Sequence, residues 1–311
     1  MTNESTNEDP TRPAFAGENR TRTAKESAIK WFLFACAALS VFVTLAIVAT
    51  LLFDAVEFFT RVSPVAFFTG TTWSPKIGES FGVLPLVSNT LAVTVLSALV
   101  AIPVGTASAA YLSEYATERT RSVLKPALEV LAGIPTVVYG FFALVYVTPA
   151  LRAVGVPVGT FNLLSASLMV GVMIIPMVSS LSEDAMSAVP DSLRQGAYGL
   201  GATKFEVTTT VVIPASISGV FSSFILALSR AIGETMIVVV AAGMSPQLVP
   251  SPFDSVQPMT SAMVQLSTSD LAGGTAAYYA LFAIGLTLFV ITFSMNVASN
   301  WVASRYREEY E

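Results

Sequence analysis

Six long apolar segments restrict what this chain can fold into more than any other feature. Each reaches the ~20 residues that an α-helix needs to cross the ~30 Å hydrocarbon core of a bilayer. Only 12% of the residues are charged, about half of the share in an average soluble domain. The sequence therefore predicts an all-α, polytopic membrane protein with six transmembrane helices, at residues 31–53, 86–112, 124–149, 163–182, 211–243 and 276–302.

Lysine and arginine are distributed unevenly between the two predicted sides, and this asymmetry indicates the orientation. With the N-terminus in the cytoplasm, twelve of the 16 basic residues lie inside, three lie in outer loops and Arg230 falls within a span. We therefore predict a multi-pass protein of the cell membrane with both termini cytoplasmic. Residues 1–30 are predicted to be a mobile cytoplasmic tail, residues 304–311 a cytoplasmic tail and residues 54–85 an outer loop.

The predicted outer loop carries an unusual number of aromatic side chains, which allow two interpretations. They can form an aromatic belt at the membrane interface, or a docking surface for an extracytoplasmic partner. The residues concerned are Phe58, Phe59, Phe67, Phe68 and Trp73.

Several classes of function are excluded by composition. The chain has no histidine and one cysteine, so a histidine-based metal site and an internal disulfide are impossible. The pI of about 4.9 argues against nucleic-acid binding. None of the five lysines follows a glycine, so there is no phosphate-binding P-loop. We predict no cofactor and no enzymatic activity, and any ATP-driven process needs a separate ATPase subunit.

The segment 183–214 between the fourth and fifth spans has the composition of an ordered element. Asp191 or Ser192, directly after Pro190, provides a helix N-cap, and apolar residues then recur at helical spacing. Gly199 and Gly201 permit a sharp reversal before a second helical run at 203–212. The pattern predicts a helix, a glycine turn and a second helix that re-enters the membrane.

Arg230 and Glu234 interrupt the fifth apolar segment with two charges. On a continuous helix they would share one face, one turn apart. An arginine near the bilayer centre costs about 2.5–3.5 kcal/mol on insertion scales, so it should face protein or water. Its planar fork suits a tetrahedral oxyanion, and the glutamate would limit how tightly an anion is held. The alternative is a pair that only attaches the fifth helix to a neighbour.

The order of residues in segment 183–214 resembles the EAA loop of binding-protein-dependent ABC importers. That pattern is E-A-A, three residues, G, nine residues, I-x-L-P. Gln195, Gly196 and Ala197 stand at its first three positions, Gly201 at its glycine and Pro214 at its proline. Both gaps match, whereas the glutamate and the first alanine are replaced. The resemblance implies a type I (MetI-like) transmembrane domain over residues 86–303, in which this loop docks onto a cytoplasmic ATPase.

Further stretches resemble the phosphate-specific importer permeases, and among them the PstC-type subunit. They are FFTGTTWSP (67–75), FGVLPLVSNTLAVT (81–94), LAGIPTVVYGFFAL (131–144) and SRAIGETMIVV (229–239). The sister PstA-type subunit typically has Ala-Pro after the same Gly-Glu-Thr, where this chain has Met236-Ile237. The resemblance covers about residues 60–303.

This resemblance implies a set of partners and roles. The partners are a second homologous permease subunit, cytoplasmic ATP-binding subunits, an extracytoplasmic phosphate-binding protein, inorganic phosphate and the lipid bilayer. Arg230 and Glu234 would line the phosphate pathway, and Gln195, Gly196, Ala197, Gly201 and Pro214 would couple it to the ATPase. A permease for sulfate or molybdate, and the sister phosphate permease subunit, remain alternatives.

Overall fold

The fold is described from a computed structural model, which covers residues 20–270 and 272–305. The predicted tails at 1–30 and 304–311 therefore fall largely outside the described residues, but residues 20–30 belong to the first helix, so the predicted mobile tail is too long at that end. The described chain divides into two units, with the boundary between Thr50 and Leu51 of the first helix. The elements, in chain order, are α1 (Arg20–Arg61), α2 (Pro64–Thr69), β1 (Trp73–Ser74), β2 (Ser80–Phe81), α3 (Leu84–Ala110), a π turn (Tyr111–Tyr115), α4 (Glu118–Gly133), α5 (Thr136–Phe142), a π turn (Ala143–Val147), α6 (Thr148–Ala153), α7 (Leu163–Ser187), α8 (Asp191–Gly199), α9 (Lys204–Val207), a π turn (Thr208–Val212), α10 (Ile213–Ala215), α11 (Ile217–Ile232), α12 (Met236–Ala241), α13 (Met259–Ser267) and α14 (Ala276–Arg305).

The first helix, α1, is longer than the predicted span 31–53 at both ends. No glycine or proline interrupts residues 20–61, and the helix stops before Ser63-Pro64, since a residue before proline disfavours the helical conformation. In the first unit its apolar side chains, such as Trp31 and Phe42, are exposed. This surface suits contact with lipid.

The core of the second unit forms where α3 packs along α7. Gly105 of α3 lies so close to Val178 that an added Cβ would come within 2.7 Å of it. At Gly171 of α7, an added Cβ would lie only 3.0 Å from the carbonyl oxygen of Ser97. Small residues at such crossings let membrane helices approach closely.

Among the residues that the structure describes, five continuous helices are long and apolar enough to cross a membrane, and a bent pair of helices brings the number to six. The continuous spans are Lys25–Arg61, Leu84–Tyr115, Thr136–Ala153, Leu163–Ser187 and Ala276–Trp301. The pair is Lys204–Ala215 with Ile217–Ile232, bent by 71°. The all-helical, polytopic prediction is thereby confirmed, apart from one short two-stranded hairpin.

The predicted third span at 124–149 is wrong as a single helix. α4 ends at Gly133, and Ile134 adopts an extended conformation (φ −66°, ψ 129°) before Pro135. Proline disfavours a helical residue in front of it and has no N–H to continue the ladder. α4 is therefore a separate amphipathic helix, and the span begins at Thr136.

The predicted fifth span at 211–243 is also broken. Pro214 cannot donate to the carbonyl one turn earlier, and the backbone widens into the π turn Thr208–Val212 before it bends at Ser216. The Ser216 hydroxyl donates to the carbonyl oxygen of Val212 at 2.8 Å, so this carbonyl has an additional partner at the bend. A second break follows Ile232, where Gly233 caps α11.

The aromatic side chains of the predicted outer loop are mostly buried, so neither an exposed belt nor an exposed docking surface describes them. Phe58 and Phe67 are fully buried and Trp73 is 5% exposed, whereas Phe68 is 49% exposed. They pack with Phe81 of the hairpin and with α13 and α14. Packing against helices that are distant in the sequence removes more apolar area of these side chains from water than a position at the membrane interface would.

Candidate functional site

Arg230 and Glu234 form an ion pair across the break between α11 and α12. Nη1 of Arg230 donates to Oε2 of Glu234 at 3.2 Å. The Arg230 side chain is 45% exposed, whereas that of Glu234 is 2% exposed. The structure thus brings the two predicted pathway residues together, although the expected continuous helix ends between them.

The carboxylate of Glu234 also holds the start of α12. Oε1 accepts hydrogen bonds from the backbone N–H groups of Met236 (3.0 Å) and Ile237 (3.2 Å). These are amides that a helix start leaves without a partner. The Glu234 carbonyl oxygen accepts from the Thr260 hydroxyl at 2.7 Å. The two amide bonds fix the carboxylate of Glu234 and the Thr260 bond fixes its backbone, so the side chain stays beside Arg230.

Arg230 lines a cavity of about 460 Å³ between α4, α5, α7 and α11. The walls are mostly apolar, with Ile134, Met173 and Ile174 among them. In the described residues, Glu234 is the one protein group that accepts a hydrogen bond from the Arg230 guanidinium. The remaining donors are therefore available to an anion inside the cavity.

Sequence reasoning missed a second charged group on this cavity, Glu183 at the end of α7. Its side chain is 2% exposed and lies 2.9 Å from Nη2 of Arg121 and 2.6 Å from Nζ of Lys125, both on α4. A buried carboxylate is costly unless cations compensate it. The available signal was the Glu183-Asp184 pair at the end of an apolar segment, together with two basic residues four apart in 118–133.

The predicted helix–turn–helix of segment 183–214 is present. α8 starts at Asp191, although Pro190 occupies the cap position and no side chain caps the helix. Gly201 has φ +86°, a conformation that glycine adopts without strain. Thr203 and Glu206 form a reciprocal capping box at the start of α9.

Four of the five predicted coupling residues lie on the surface of this segment. Gln195, Gly196, Gly201 and Pro214 are exposed, and Ala197 is half-buried against the cluster that includes Met186 and Val207. Apolar side chains are exposed around them, with Tyr198 at 42%, Phe205 at 69% and Leu200 at 92%. An exposed apolar patch rimmed by polar groups is typical of a protein–protein contact.

The arrangement can hold an anion by hydrogen bonding and charge, and the described residues contain no cluster of three or more metal-ligating side chains. Cys36, the single cysteine, lies exposed on α1.

Comparison with known proteins identifies the family. Residues 101–308 match the family described as "Binding-protein-dependent transport system inner membrane component". A probable ABC transporter permease protein YqgH of Bacillus subtilis is 36% identical over 245 residues, covering 78% of this chain and 79% of that protein. The phosphate transport system permease protein PstC of Mesorhizobium japonicum is 32% identical, covering 77% and 78%. PstC of Xylella fastidiosa is also 32% identical, covering 79% and 80%.

Solved structures agree in fold. A chain of a bacterial ABC transporter that imports alginate superposes with a TM-score of 0.64 at 15% identity, covering 92% of this chain and 100% of that one. A chain of the inward-facing MetNI methionine transporter gives 0.55 at 13% identity, covering 73% and 95%. The MetI-like transmembrane fold of ABC importers is thereby shown. The chain belongs to the family of binding-protein-dependent ABC transport permeases, inner-membrane subunits whose ATPase is a separate protein.

Proposed function

We propose that this chain is the PstC-type permease subunit of an ATP-driven importer of inorganic phosphate, and that it forms half of the translocation pathway. The observation that carries the proposal is Arg230, whose guanidinium lines a cavity and has one fixed protein partner. The similarity to phosphate permeases named PstC, at 32% identity, supports phosphate as the ligand.

The chemistry of the pair fits an anion that must be bound and then released. An arginine fork donates parallel hydrogen bonds to a phosphate. Glu234, fixed 3.2 Å away, lowers the net charge of the site. A conducting site has to bind its ligand strongly enough for entry and weakly enough for exit.

The coupling role of segment 183–214 is part of the same proposal. Its exposed residues Gln195, Gly196 and Gly201 would contact the cytoplasmic ATPase, while Ala197 joins the loop to the apolar cluster beneath it. Pro214 produces the bend through which a push on the loop reaches α11 and Arg230. This role requires the loop and both termini to be cytoplasmic, as the distribution of basic residues predicts.

The assembly that we propose contains a second homologous permease, ATP-binding subunits and an extracytoplasmic phosphate-binding protein in the bilayer. Within the chain, residues 86–303 are the importer domain. The first span, expected at 31–53, is the longer helix α1, so the outer loop expected at 54–85 begins only after Arg61. Two alternatives share these features: a permease for sulfate or molybdate, and the sister phosphate permease subunit. The name of the Bacillus relative, which is 36% identical, specifies no substrate.

The test is uptake of labelled phosphate by the assembled complex in proteoliposomes. Arg230→Gln removes the charge and the fork, and we expect uptake to fall at least about tenfold, since hydrogen bonds to charged groups contribute about 1.5–3 kcal/mol. Arg230→Lys is the matched control that retains the charge. Normal uptake by Arg230→Gln would overturn the proposal, and sulfate or molybdate uptake without phosphate uptake would favour the alternative substrates.

A further inference from the structure

The cavity that Arg230 lines has a second cation in its wall, Lys125 of α4. Among the described residues that line this cavity, Arg230 and Lys125 are the two basic ones, and Glu129 and Glu183 the two acidic ones. Apolar side chains make up most of the remaining wall. An anion that leaves Arg230 through this cavity therefore has one other lysine or arginine in the wall to contact.

Lys125 is held in a way that leaves it able to exchange partners. Its Nζ lies 2.6 Å from Oε2 of Glu183, while Nη2 of Arg121 lies 2.9 Å from Oε1 of the same carboxylate. Glu183 thus has two cations for one negative charge. If Lys125 moves to another anion, Arg121 still compensates the buried carboxylate.

The two cations differ in how firmly they are fixed. Arg121 also donates from Nη2 to the carbonyl oxygen of Leu112 at 3.0 Å. The two side chains are about equally exposed, at 39% and 40%, but Lys125 lies in the cavity wall and Arg121 does not. A lysine ammonium is also a compact charge on a flexible stem. Lys125 is consequently the member of the group that can turn towards the cavity.

We propose that Lys125 is a second oxyanion contact, which takes phosphate from Arg230 on the exit side of the pathway, and that Glu183 competes for Lys125 and so drives release. This inference rests on the proposed phosphate pathway through Arg230. The positive and negative charges around the two proposed contacts are equal in number, which favours passage of an anion over trapping. The positive charges are on Arg230, Lys125 and Arg121, and the negative charges on Glu234, Glu183 and the exposed Glu129.

The competing explanation is that the group only attaches α4 to α7. The two explanations predict different signs for a pair of variants. Lys125→Gln removes the second contact, so phosphate should bind more weakly by about threefold, the effect expected of a half-exposed charge. Glu183→Gln removes the competitor for Lys125, so phosphate should bind about threefold more tightly. If the group only attaches α4 to α7, both variants weaken that attachment, and phosphate binding should change in the same direction in both.

The measurement is ³¹P NMR line broadening of inorganic phosphate by the purified complex, without nucleotide or binding protein, at matched ionic strength. Lys125→Arg is the control that keeps the charge, and it should bind phosphate as the wild type does. A change of the same sign in Lys125→Gln and Glu183→Gln, or no change in Lys125→Gln, overturns the inference. A lowered Tm in both variants together with a same-sign change would assign the group to packing.

Uptake by the same complexes separates this inference from the proposed function. If Arg230→Gln abolishes phosphate uptake while Lys125→Gln transports and binds phosphate normally, the second contact fails and the pathway stands. If the wild-type complex neither binds nor transports phosphate, the proposed function itself fails. Lower turnover in both Lys125→Gln and Glu183→Gln, with opposite effects on binding, supports the second contact.

Discussion

Nη2 of Arg194 on α8 donates to Oε1 of Glu114, in the π turn at the end of α3, at 3.0 Å. The two side chains are only 13% and 6% exposed. Arg194 also donates to the carbonyl oxygens of Met186 (2.8 Å) and Val189. One side chain thus connects the predicted ATPase-docking helix to the ends of α3 and α7, so a displacement of α8 would move both helices.

We expect Arg194→Gln and Glu114→Gln to weaken the coupling between ATP hydrolysis and uptake. Removing one partner of a buried ion pair costs up to about 3–5 kcal/mol, and the cost here should lie below that range, since Arg194 keeps Asp191 at 3.2 Å and Glu114 keeps the Ser113 hydroxyl at 3.0 Å. The assay is stimulation of ATPase activity by the loaded binding protein, compared with uptake in the same proteoliposomes. Arg119→Gln, on the exposed face of α4, is the matched control. Full stimulation in both variants would show that the pair does not transmit movement.

Gly201 and Gly196 allow a comparison within the docking loop. Neither has a heavy atom within 4 Å of an added Cβ, but Gly201 has φ +86°. Gly201→Ala should therefore distort the turn at a cost of about 1–2 kcal/mol, and we expect ATP hydrolysis without proportionate uptake. Gly196→Ala introduces the alanine that the EAA pattern has at this position, inside α8, where alanine is favoured by up to about 1 kcal/mol; its contact with the ATPase and the coupling should therefore be kept. Equal coupling in both variants would argue against a precise docking geometry.

Local features of the chain were predicted well, and the reasons are physical. Apolar length indicates a membrane span because a bilayer core about 30 Å thick needs about 20 helical residues, and Gly201 marked the turn because a left-handed conformation favours glycine. Arg230 stood out because a charged side chain within a membrane-spanning segment is energetically costly and is usually functional. Each of these inferences uses one short stretch of sequence.

Features that depend on distant contacts were missed. Glu183 gained its importance from Arg121 and Lys125, about sixty residues away, and no periodicity in either segment reveals the pairing. Phe58 and Phe67 suggested a surface patch because their cover, α13 and α14, is about two hundred residues further along. The break after Ile232 was missed because a single Gly233 is tolerated inside many membrane helices.

The aromatic cluster of the outer segment gives a prediction about stability. Phe58 is fully buried, with ring centroids of Phe59, Phe67 and Phe81 at 5.3–5.5 Å. Phe58→Ala should lower the free energy of unfolding by about 3–5 kcal/mol, through lost burial and the cavity left behind. Phe53→Ala, on the same helix but 77% exposed, is the control. The readout is the Tm of the purified complex in detergent, and an equal Tm in the two variants would contradict a packed cluster.

Glu234 has two separable roles in the structure, a charge beside Arg230 and a cap on α12. Glu234→Gln keeps an oxygen that can accept from Met236 and Ile237, so the fold should persist, but Arg230 loses its counter-charge. Phosphate should then be held more tightly and turn over more slowly in the uptake assay.

Glu234→Ala is the companion variant, because it removes the cap as well as the charge. It should lower stability by about 1 kcal/mol, the usual cost of a lost helix cap, and this loss is read from the Tm. The difference between the two variants therefore separates the charge from the cap. Unchanged phosphate affinity and normal uptake in Glu234→Gln would mean that the carboxylate only caps the start of α12. The negative charge of Glu234 would then have no effect on phosphate binding by Arg230.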